Sequence, residues 1–598
     1  MVNCRSMLQK QNRIAAFIFS QIWSCDRRYI IFRFGMAILT GLYPVVNVVY
    51  PKLIIDAITA RHSIIDIATV VGAFFVIQII YFVITSIWNI YDGICSNKIV
   101  CSINEKIMRK MMNLDLSFFD SPDMYDAFQK ARNEAGTRAK STFECIVLLF
   151  SSSISLFSLG ALFTNTDPIL LLVVILTMLI SAILNSRTKR VVFDYNKGNA
   201  PINRYLGYLY NVMTSKKYAK DVRVFHIEEW LVGKYLKNFD TILKRYKNNQ
   251  RELLRINGAN GILLRAQNAF LYLYLAKKAL YQMISVGDFT MLIMTVQNLN
   301  SAITAIVSNL LTVYENSMYT ENLMQFFNLE NKIISGNAMP SPLCQTSPSP
   351  ILRVCNVSFS YPNSTSRAIS NISIEVFRGE KILIVGENGS GKTTLIKLLL
   401  RLYEPSSGSI IYSGKDISEY DLHSYRDEYS VIFQDYNTYA FSVAENIFMR
   451  EFRQADTDTL DEVIESSGLK DRISSLADGA NTILSREFDK YGAEFSIGEM
   501  QKISLARAIA RKAKVIILDE PTSSLDPAAE SNVYLQYMKM CEGKTSIFIS
   551  HRLSCAMYMD RIVYIKKGEV VECGTHKELI ELQGEYAKMF ELQACNYK

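Results

Sequence analysis

The sequence predicts an all-α membrane-spanning half followed by an α/β half built on a parallel sheet. Three observations predict it. Long apolar runs are confined to about the first 320 residues, short apolar runs alternate with helical patterns beyond residue 350, and a glycine-rich loop lies between one such run and a helix. At 598 residues and 68.1 kDa the chain also exceeds what one hydrophobic core organises, so two or more domains are expected.

A membrane span needs about 20 mostly apolar residues. Residues 29–50, 67–87, 146–163, 169–184 and 289–313 qualify. A sixth stretch, 262–284, is apolar overall but is interrupted by Arg265, Gln267, Asn268, Lys277 and Lys278. Counting it gives six spans and returns the chain to its starting side. The segments 98–140 and 187–255 are long and rich in Lys and Arg, whereas the connections near Arg61 and at 164–168 are short and nearly free of them. The long segments are therefore expected in the cytosol. Their helical periodicity, as in Ile103, Ile107, Met111 and Met112, predicts helices projecting beyond the bilayer. Residues 1–28, polar and basic with no small-residue cleavage site, are expected to form a cytosolic segment rather than a cleaved signal peptide.

Ionisable residues at membrane depth point to function by default. Arg265 is such a residue, with Gln267, Asn268, Gln297, Asn298 and Asn300 as neutral companions that line a solvated path or, alternatively, with Arg265 snorkelling to the inner headgroups. The formal charge of +8 does not indicate nucleic acid, because Lys and Arg gather between the apolar runs. Eleven cysteines, with no CxxC pair and no matching His spacing, exclude a zinc site or disulfide framework as the organising feature.

From Ser335 to Pro350 the sequence turns to Ser, Pro, Gly and Asn, so 331–350 reads as a linker between a membrane domain at 29–330 and a second domain at 351–598. In that domain the runs Lys381–Val385, 430–433, 515–518 and 546–549 read as buried parallel strands. Gly386, Glu387, Asn388, Gly389, Ser390, Gly391, Lys392 and Thr393 match the phosphate loop G-x-x-x-x-G-K-[ST], which Thr394 follows. A strand precedes it and a helix through Leu395, Leu398 and Leu399 follows, which aims backbone N–H groups at an anion. Lys392 then meets the β- and γ-phosphates of ATP, and the Thr393 hydroxyl ligates Mg²⁺. Downstream, the apolar run 515–518 ends in Asp519 and Glu520. Strand ends are where ligands sit in such sheets, so Asp519 suits Mg²⁺ and Glu520 suits the attacking water.

These elements resemble the nucleotide-binding domain of ATP-binding cassette (ABC) transporters, and nearly the whole chain resembles a half-transporter of the type IV exporter kind. The resemblance implies a P-loop ATPase domain with a helical subdomain. It further implies that Gln434 is the Q-loop glutamine contacting Mg²⁺, Asp526 in Ser523-Ser524-Leu525-Asp526 the D-loop aspartate, His551 the switch histidine on the γ-phosphate, and Tyr361 the aromatic stacked on adenine. Phe495-Ser496-Ile497-Gly498-Glu499-Met500-Gln501 occupies the place of the family's LSGGQ signature, so Ser496, Gly498 and Glu499 are expected against the nucleotide of the opposite subunit. Leu116 to Tyr125 and Ala219 to Phe225 resemble the coupling segments, with a solvated charged helix as the alternative.

The signature departs from the family. Ile497 stands where the first glycine belongs and Glu499 where glutamine does, while Lys392, Asp519, Glu520 and His551 are all present. A β-branched residue forbids positive φ and adds bulk beside a phosphate, which impairs the cap. The combination implies one member of a heterodimer, in which a second ABC half-transporter completes the site around Glu520; a homodimer tolerating isoleucine is the alternative. The expected whole is an integral, multi-pass protein of a bacterial cell membrane, in contact with lipid, with a cytosolic ATPase domain exporting peptide, lipid or amphipathic small molecule. An ATP-binding sensor with little turnover and an importer subunit are the rivals.

Overall fold

The computed structural model describes the backbone of residues 2–162, 168–340, 349–362, 364, 366–520, 527–553 and 555–595, and the side chains of these except 2–11, 122–127, 129–136, 168–171, 318–319, 527–532 and 594–595. The chain divides into two units, one comprising Met1–Met112 and Asp126–Leu329, the other Asn113–Tyr125 and Glu330–Lys598.

The first unit is helical: α1 (Val2–Cys25), α2 (Arg27–Thr59), α3 (Ile64–Met112), α4 (Pro122–Ala161), α5 (Pro168–Thr214), the short α6 (Ala219–Val224), α7 (Glu228–Leu280) and α8 (Val286–Phe327). The N-terminal segment expected only to be cytosolic is thus a helix, and it buries Ile14, Ile18 and Ile22 at a four-residue spacing. At 1.5 Å per residue, α3 with 49 residues is about 74 Å long and α7 with 53 about 80 Å, well beyond a hydrocarbon core of about 30 Å. Among the described residues, five helices, α2, α3, α4, α5 and α8, carry stretches long and apolar enough to cross a membrane.

The sixth long helix, α7, does not reach that apolarity, in line with the interruptions in its sequence. Its polar residues find neighbours on adjacent helices. Asn260 Nδ2 donates to Asn185 Oδ1 at 3.3 Å, Thr188 Oγ1 donates to Asn257 Oδ1 at 3.0 Å, and Asn300 Nδ2 of α8 donates to Gln267 Oε1 at 3.2 Å. Inter-helix hydrogen bonds of this kind let a polar helix sit among apolar ones. Of the polar candidates, the structure joins only Gln267 and Asn300. Arg265 is exposed and reaches no further than the carbonyl of Gly261, and Gln297 is exposed as well.

In the second unit, β1 (Leu352–Phe359), β2 (Ile369–Val376), β4 (Ser407–Tyr412) and β5 (Lys415–Asp416) form an antiparallel sheet ordered β2-β1-β4-β5. A six-stranded sheet runs β10-β9-β3-β8-β7-β6, from β3 (Lys381–Val385), β6 (Tyr429–Ile432), β7 (Val515–Asp519), β8 (Thr545–Ile549), β9 (Arg561–Lys566) and β10 (Glu569–Gly574). Every pair in it is parallel except β9 with β10. In β3, Ile382 and Ile384 enter one core with Leu352, Val354 and Leu395, whereas Leu383 and Val385 enter another with Ile516, Leu518 and Phe548. Both faces are buried, which is why the strand reads as an unbroken apolar run.

Helix α9 (Lys392–Leu399) follows β3. The helices α10 (Leu422–Asp427), α11 (Val443–Phe448), α12 (Thr457–Ser466), α13 (Lys470–Ser474) and α14 (Ile497–Ala510) come between β5 and β7. Of these, α11 to α14 surround a separate apolar cluster through Val443, Ile447, Val463, Leu469 and Ile503, a helical subdomain.

Both places where the chain enters this unit are tied down. Asp115 Oδ2 accepts from the N–H groups of Lys332 at 2.6 Å and Ile333 at 3.2 Å, and Tyr403 donates to Asp120 at 2.5 Å. The linker is docked where it begins, with Gly336 N donating to Tyr420 O at 2.9 Å; residues 341–348 lie outside the described ones.

Candidate active site

The site is built where β3 turns into α9. Gly386, Gly389 and Gly391 have φ of 156°, 79° and 104°, so the loop takes backbone conformations that L side chains avoid. At Gly391 space is also short, because a Cβ there would lie 2.6 Å from the Ala368 carbonyl. The loop curls around the side chain of Lys392, whose Nζ donates to the carbonyls of Gly386 at 2.9 Å and Glu387 at 3.0 Å. Lys392 is 5% exposed, and burial lowers its pKa while Glu520 and Asp519 pull the other way.

A cavity of about 570 Å³ opens over this loop. Tyr361, Asn388, Gly389, Gly391, Lys392, Thr393, Thr394, Gln434, Glu520 and His551 line it. The structure therefore brings together residues from positions 361 to 551. Tyr361 is fixed by a hydroxyl contact to Thr394 Oγ1 at 3.1 Å and by edge packing on Phe359 and Tyr403. Glu520 Oε2 accepts from Gln434 Nε2 at 2.9 Å and lies 3.3 Å from His551 Nδ1. Glu520 also has a left-handed backbone, φ 47°, uncommon for a residue with a Cβ and often found at functional sites.

Asp519 lies behind the lining at 2% exposure, bonded to Thr393, while its Oδ1 is buried without a hydrogen-bond partner among the described residues. Burial pushes its pKa up to about 6, with Thr393 opposing, Glu520 adding to the rise and Lys392 opposing. Ser390 Oγ is likewise buried without a partner, and Gly386 packs against the Ile565 carbonyl. Asp526 and the rest of Ser523–Asp526 lie outside the described residues.

The signature residues stand elsewhere. Ser496 caps α14 in a reciprocal box: Glu499 N donates to Ser496 Oγ at 3.3 Å and Ser496 N donates to Glu499 Oε2 at 2.7 Å. Arg472 pairs with the same Glu499 at 3.0 Å. Ser496, Gly498 and Glu499 line a different hollow, of about 270 Å³, that contains no phosphate-loop residue. Ile497 follows Ser496. It is the first residue of α14 and is absent from the described non-glycine residues with positive φ, so its backbone is unstrained. Its side chain is 57% exposed.

Two family models match the chain: residues 30–304 match the ABC transporter transmembrane region and residues 369–523 match ABC transporter. This chain belongs to the ABC transporter family. Among relatives of this ABC transporter, the subtilin transport ATP-binding protein SpaT of Bacillus subtilis is 29% identical over 96% of this chain and 93% of its own. The nisin transport ATP-binding protein NisT of Lactococcus lactis subsp. lactis is 27% identical over 95% and 94%. An ATP-dependent lipid A-core flippase of Aliivibrio fischeri is 26% identical over 83% and 84%. In fold, a bacterial Atm1-family ABC exporter with ATP bound superposes with a TM-score of 0.77 at 20% identity, covering 95% of this chain and 98% of that one. The activity of this ABC transporter is ATP hydrolysis coupled to export, and it is a multi-pass membrane protein with its ATPase domain in the cytosol.

Arg401 was not singled out from sequence. It is 2% exposed and joins Glu404 Oε1 at 2.9 Å to the Ile334 carbonyl at 2.8 Å, just past the end of α9. Nothing in the local sequence marks it, since its partners lie three and 67 residues away.

Proposed function

We propose that this chain is one half of a heterodimeric exporter whose own phosphate loop, Asp519 and Glu520 form the hydrolytic site, sealed by the signature of a second half-transporter. The observation that carries the reading is the separation of the two halves of the chemistry. Lys392, Gln434, Glu520 and His551 line one cavity, and Ser496, Gly498 and Glu499 line another. A phosphate held by the first is out of reach of the second unless another subunit brings its own signature.

In this reading the loop N–H groups and Lys392 hold the β- and γ-phosphates, and Tyr361 supports the adenine. Mg²⁺ fits the oxygens of Thr393 and Asp519 with Gln434 nearby, since Asp519 Oδ1 and Ser390 Oγ are buried polar atoms lacking a protein partner. Bound there, Mg²⁺ would neutralise charge on the phosphates. Glu520 orients the attacking water and takes its proton, and His551 and Gln434, which hold its carboxylate, set its direction. ATP-driven closure then turns the membrane helices outward and hydrolysis resets them.

The heterodimer rests on Ile497. An exposed isoleucine at the start of α14 opposes an incoming phosphate by bulk. The relatives named for subtilin, nisin and lipid A-core support peptide or lipid as cargo, in a bacterial cell membrane. ATPase measured on the chain alone, on the partnered assembly and on Glu520→Gln tests the proposal. Turnover should need the partner and fall at least 100-fold in the variant; equal turnover by the chain alone refutes the heterodimer, and an unaffected variant refutes the role of Glu520.

A further inference from the structure

The turns at 60–63 and 281–285, which lead into α3 and α8, carry an arrangement that ATP chemistry does not use. Lys52 on α2 pairs with Asp288 on α8 at 2.6 Å, with the two side chains 30% and 31% exposed. Asp288 is also the third residue of a capping box with Ser285, so its carboxylate is held at the first turn of α8. One turn further along α2, Asp56 lies against the same turn. A Cβ on Gly287 would be 2.3 Å from Asp56 Oδ1 and 2.6 Å from its Cγ, so only glycine admits this approach. Asp56 Oδ1 is buried and has no hydrogen-bond partner among the described residues.

Two side chains four residues apart on α2 thus straddle the start of α8, one with a short ion pair and one with an unanswered carboxylate. When α2 and α8 are together, Lys52 serves Asp288 and Asp56 goes without. If they part, Asp288 gains water, and Lys52 and Asp56 are neighbours on one helix face. Each arrangement leaves Lys52 one acidic partner, so neither state is far below the other. Such near balance suits a gate that must open and reclose in every cycle.

We propose that Lys52, Asp56, Gly287 and Asp288 form a latch at the outer end of the membrane half, in which Lys52 exchanges Asp288 for Asp56 when the exporter opens outward. The proposal rests on the alternating-access reading above, and it gives the two carboxylates opposite duties. Asp288 holds the closed state; Asp56 stabilises the open one. A merely structural pair would not behave so.

The test uses the purified full-length assembly in lipid nanodiscs, with spin labels on genetically encoded ketone residues at the exposed positions His62 and Met283. Distances are measured without nucleotide and with Mg-ATP plus orthovanadate. The latch predicts a longer 62–283 distance in the trapped state. Asp288→Asn should raise the long-distance fraction without nucleotide at least threefold, and Asp56→Asn should lower it in the trapped state by a similar factor. Oxidised Asp56→Cys/Gly287→Cys should abolish the change, with recovery on reduction; the Cβ approach at Gly287 suits a direct disulfide. Both carboxylate variants shifting in the same direction, or an oxidised pair that still opens, overturns the latch. Should the cysteine pair fail to fold, the two Asn variants carry the test alone. Partner-dependent ATP turnover that Glu520→Gln abolishes reports the pump itself, so a latch that fails while turnover persists refutes only the latch.

Discussion

Asp519→Asn keeps the shape of a buried side chain and removes a charge that the fold resists. Asp519 is 2% exposed, and burial lifts its pKa from 3.8 to about 6. At about 1.4 kcal/mol per pH unit, that difference corresponds to an order of about 3 kcal/mol. The sign follows from where the proton sits. The folded chain keeps the proton at a pH where the unfolded chain has released it, so this group's contribution falls as pH rises from about 4 to about 6 and stays low above. Without nucleotide, the variant should therefore exceed the parent by only about 1 kcal/mol near pH 4.5 and by about 3 kcal/mol at pH 7.5. For an ATPase domain of this size, about 3 kcal/mol corresponds to roughly 6–12 °C in melting temperature. The assay is scanning fluorimetry of the full-length protein at both pH values, with Mg-ATP binding measured in parallel. Mg²⁺-dependent stabilisation should vanish in the variant, and in the parent it should weaken below about pH 6 as protons compete for the carboxylate. A variant less stable than the parent at pH 7.5, or an equal gain at both pH values, would refute the reasoning.

Three further outcomes are expected. Gly391→Ala forces a Cβ to 2.6 Å from the Ala368 carbonyl at φ 104°, which should cost about 1–3 kcal/mol and weaken ATP binding in a fluorescent-nucleotide titration; unchanged affinity and melting would contradict the cradle geometry. Arg401→Met removes the tie to the Ile334 carbonyl and leaves that group unpaired, at about 1–3 kcal/mol, so protease should cut within 331–350 faster than in the parent. Ile497→Gly trims an exposed side chain without relieving any backbone strain, and should raise ATP turnover of the partnered assembly several-fold; no change would refute impairment of that cap by bulk.

Much of the catalytic half was legible because its chemistry is local. A glycine-rich loop between an apolar strand and a helix is specified within about a dozen residues, and Lys381–Val385 and α9 stand where the pattern puts them. The strands 430–433, 515–518 and 546–549 shift by at most one residue at either end, because strands buried on both faces leave an unbroken apolar signature. The less legible parts depend on distant partners. The helix α1 was hidden by its polar content, since what holds it is a narrow apolar line through Ile14, Ile18 and Ile22. The sixth stretch, 262–284, was ambiguous because polar residues interrupt its apolar run, and one of them, Gln267, is answered by Asn300 on another helix.

Sequence alone determined that there are two halves, which of them is apolar enough to meet lipid, and where the glycine-rich loop lies between strand and helix. Those properties follow from composition over twenty residues or from spacing over eight, and short-range sterics and hydration enforce them wherever the segment is placed. Tertiary structure alone decided that Gln434 and His551 hold the same Glu520 oxygen, that Asp519 is buried deeply enough to keep its proton near pH 6, that Ile497 sits in unstrained helix, and that Gly287 admits Asp56. Each of these is a distance or a burial between residues tens to hundreds of positions apart, and chain order places no constraint on such separations until the sheet and the helices have packed.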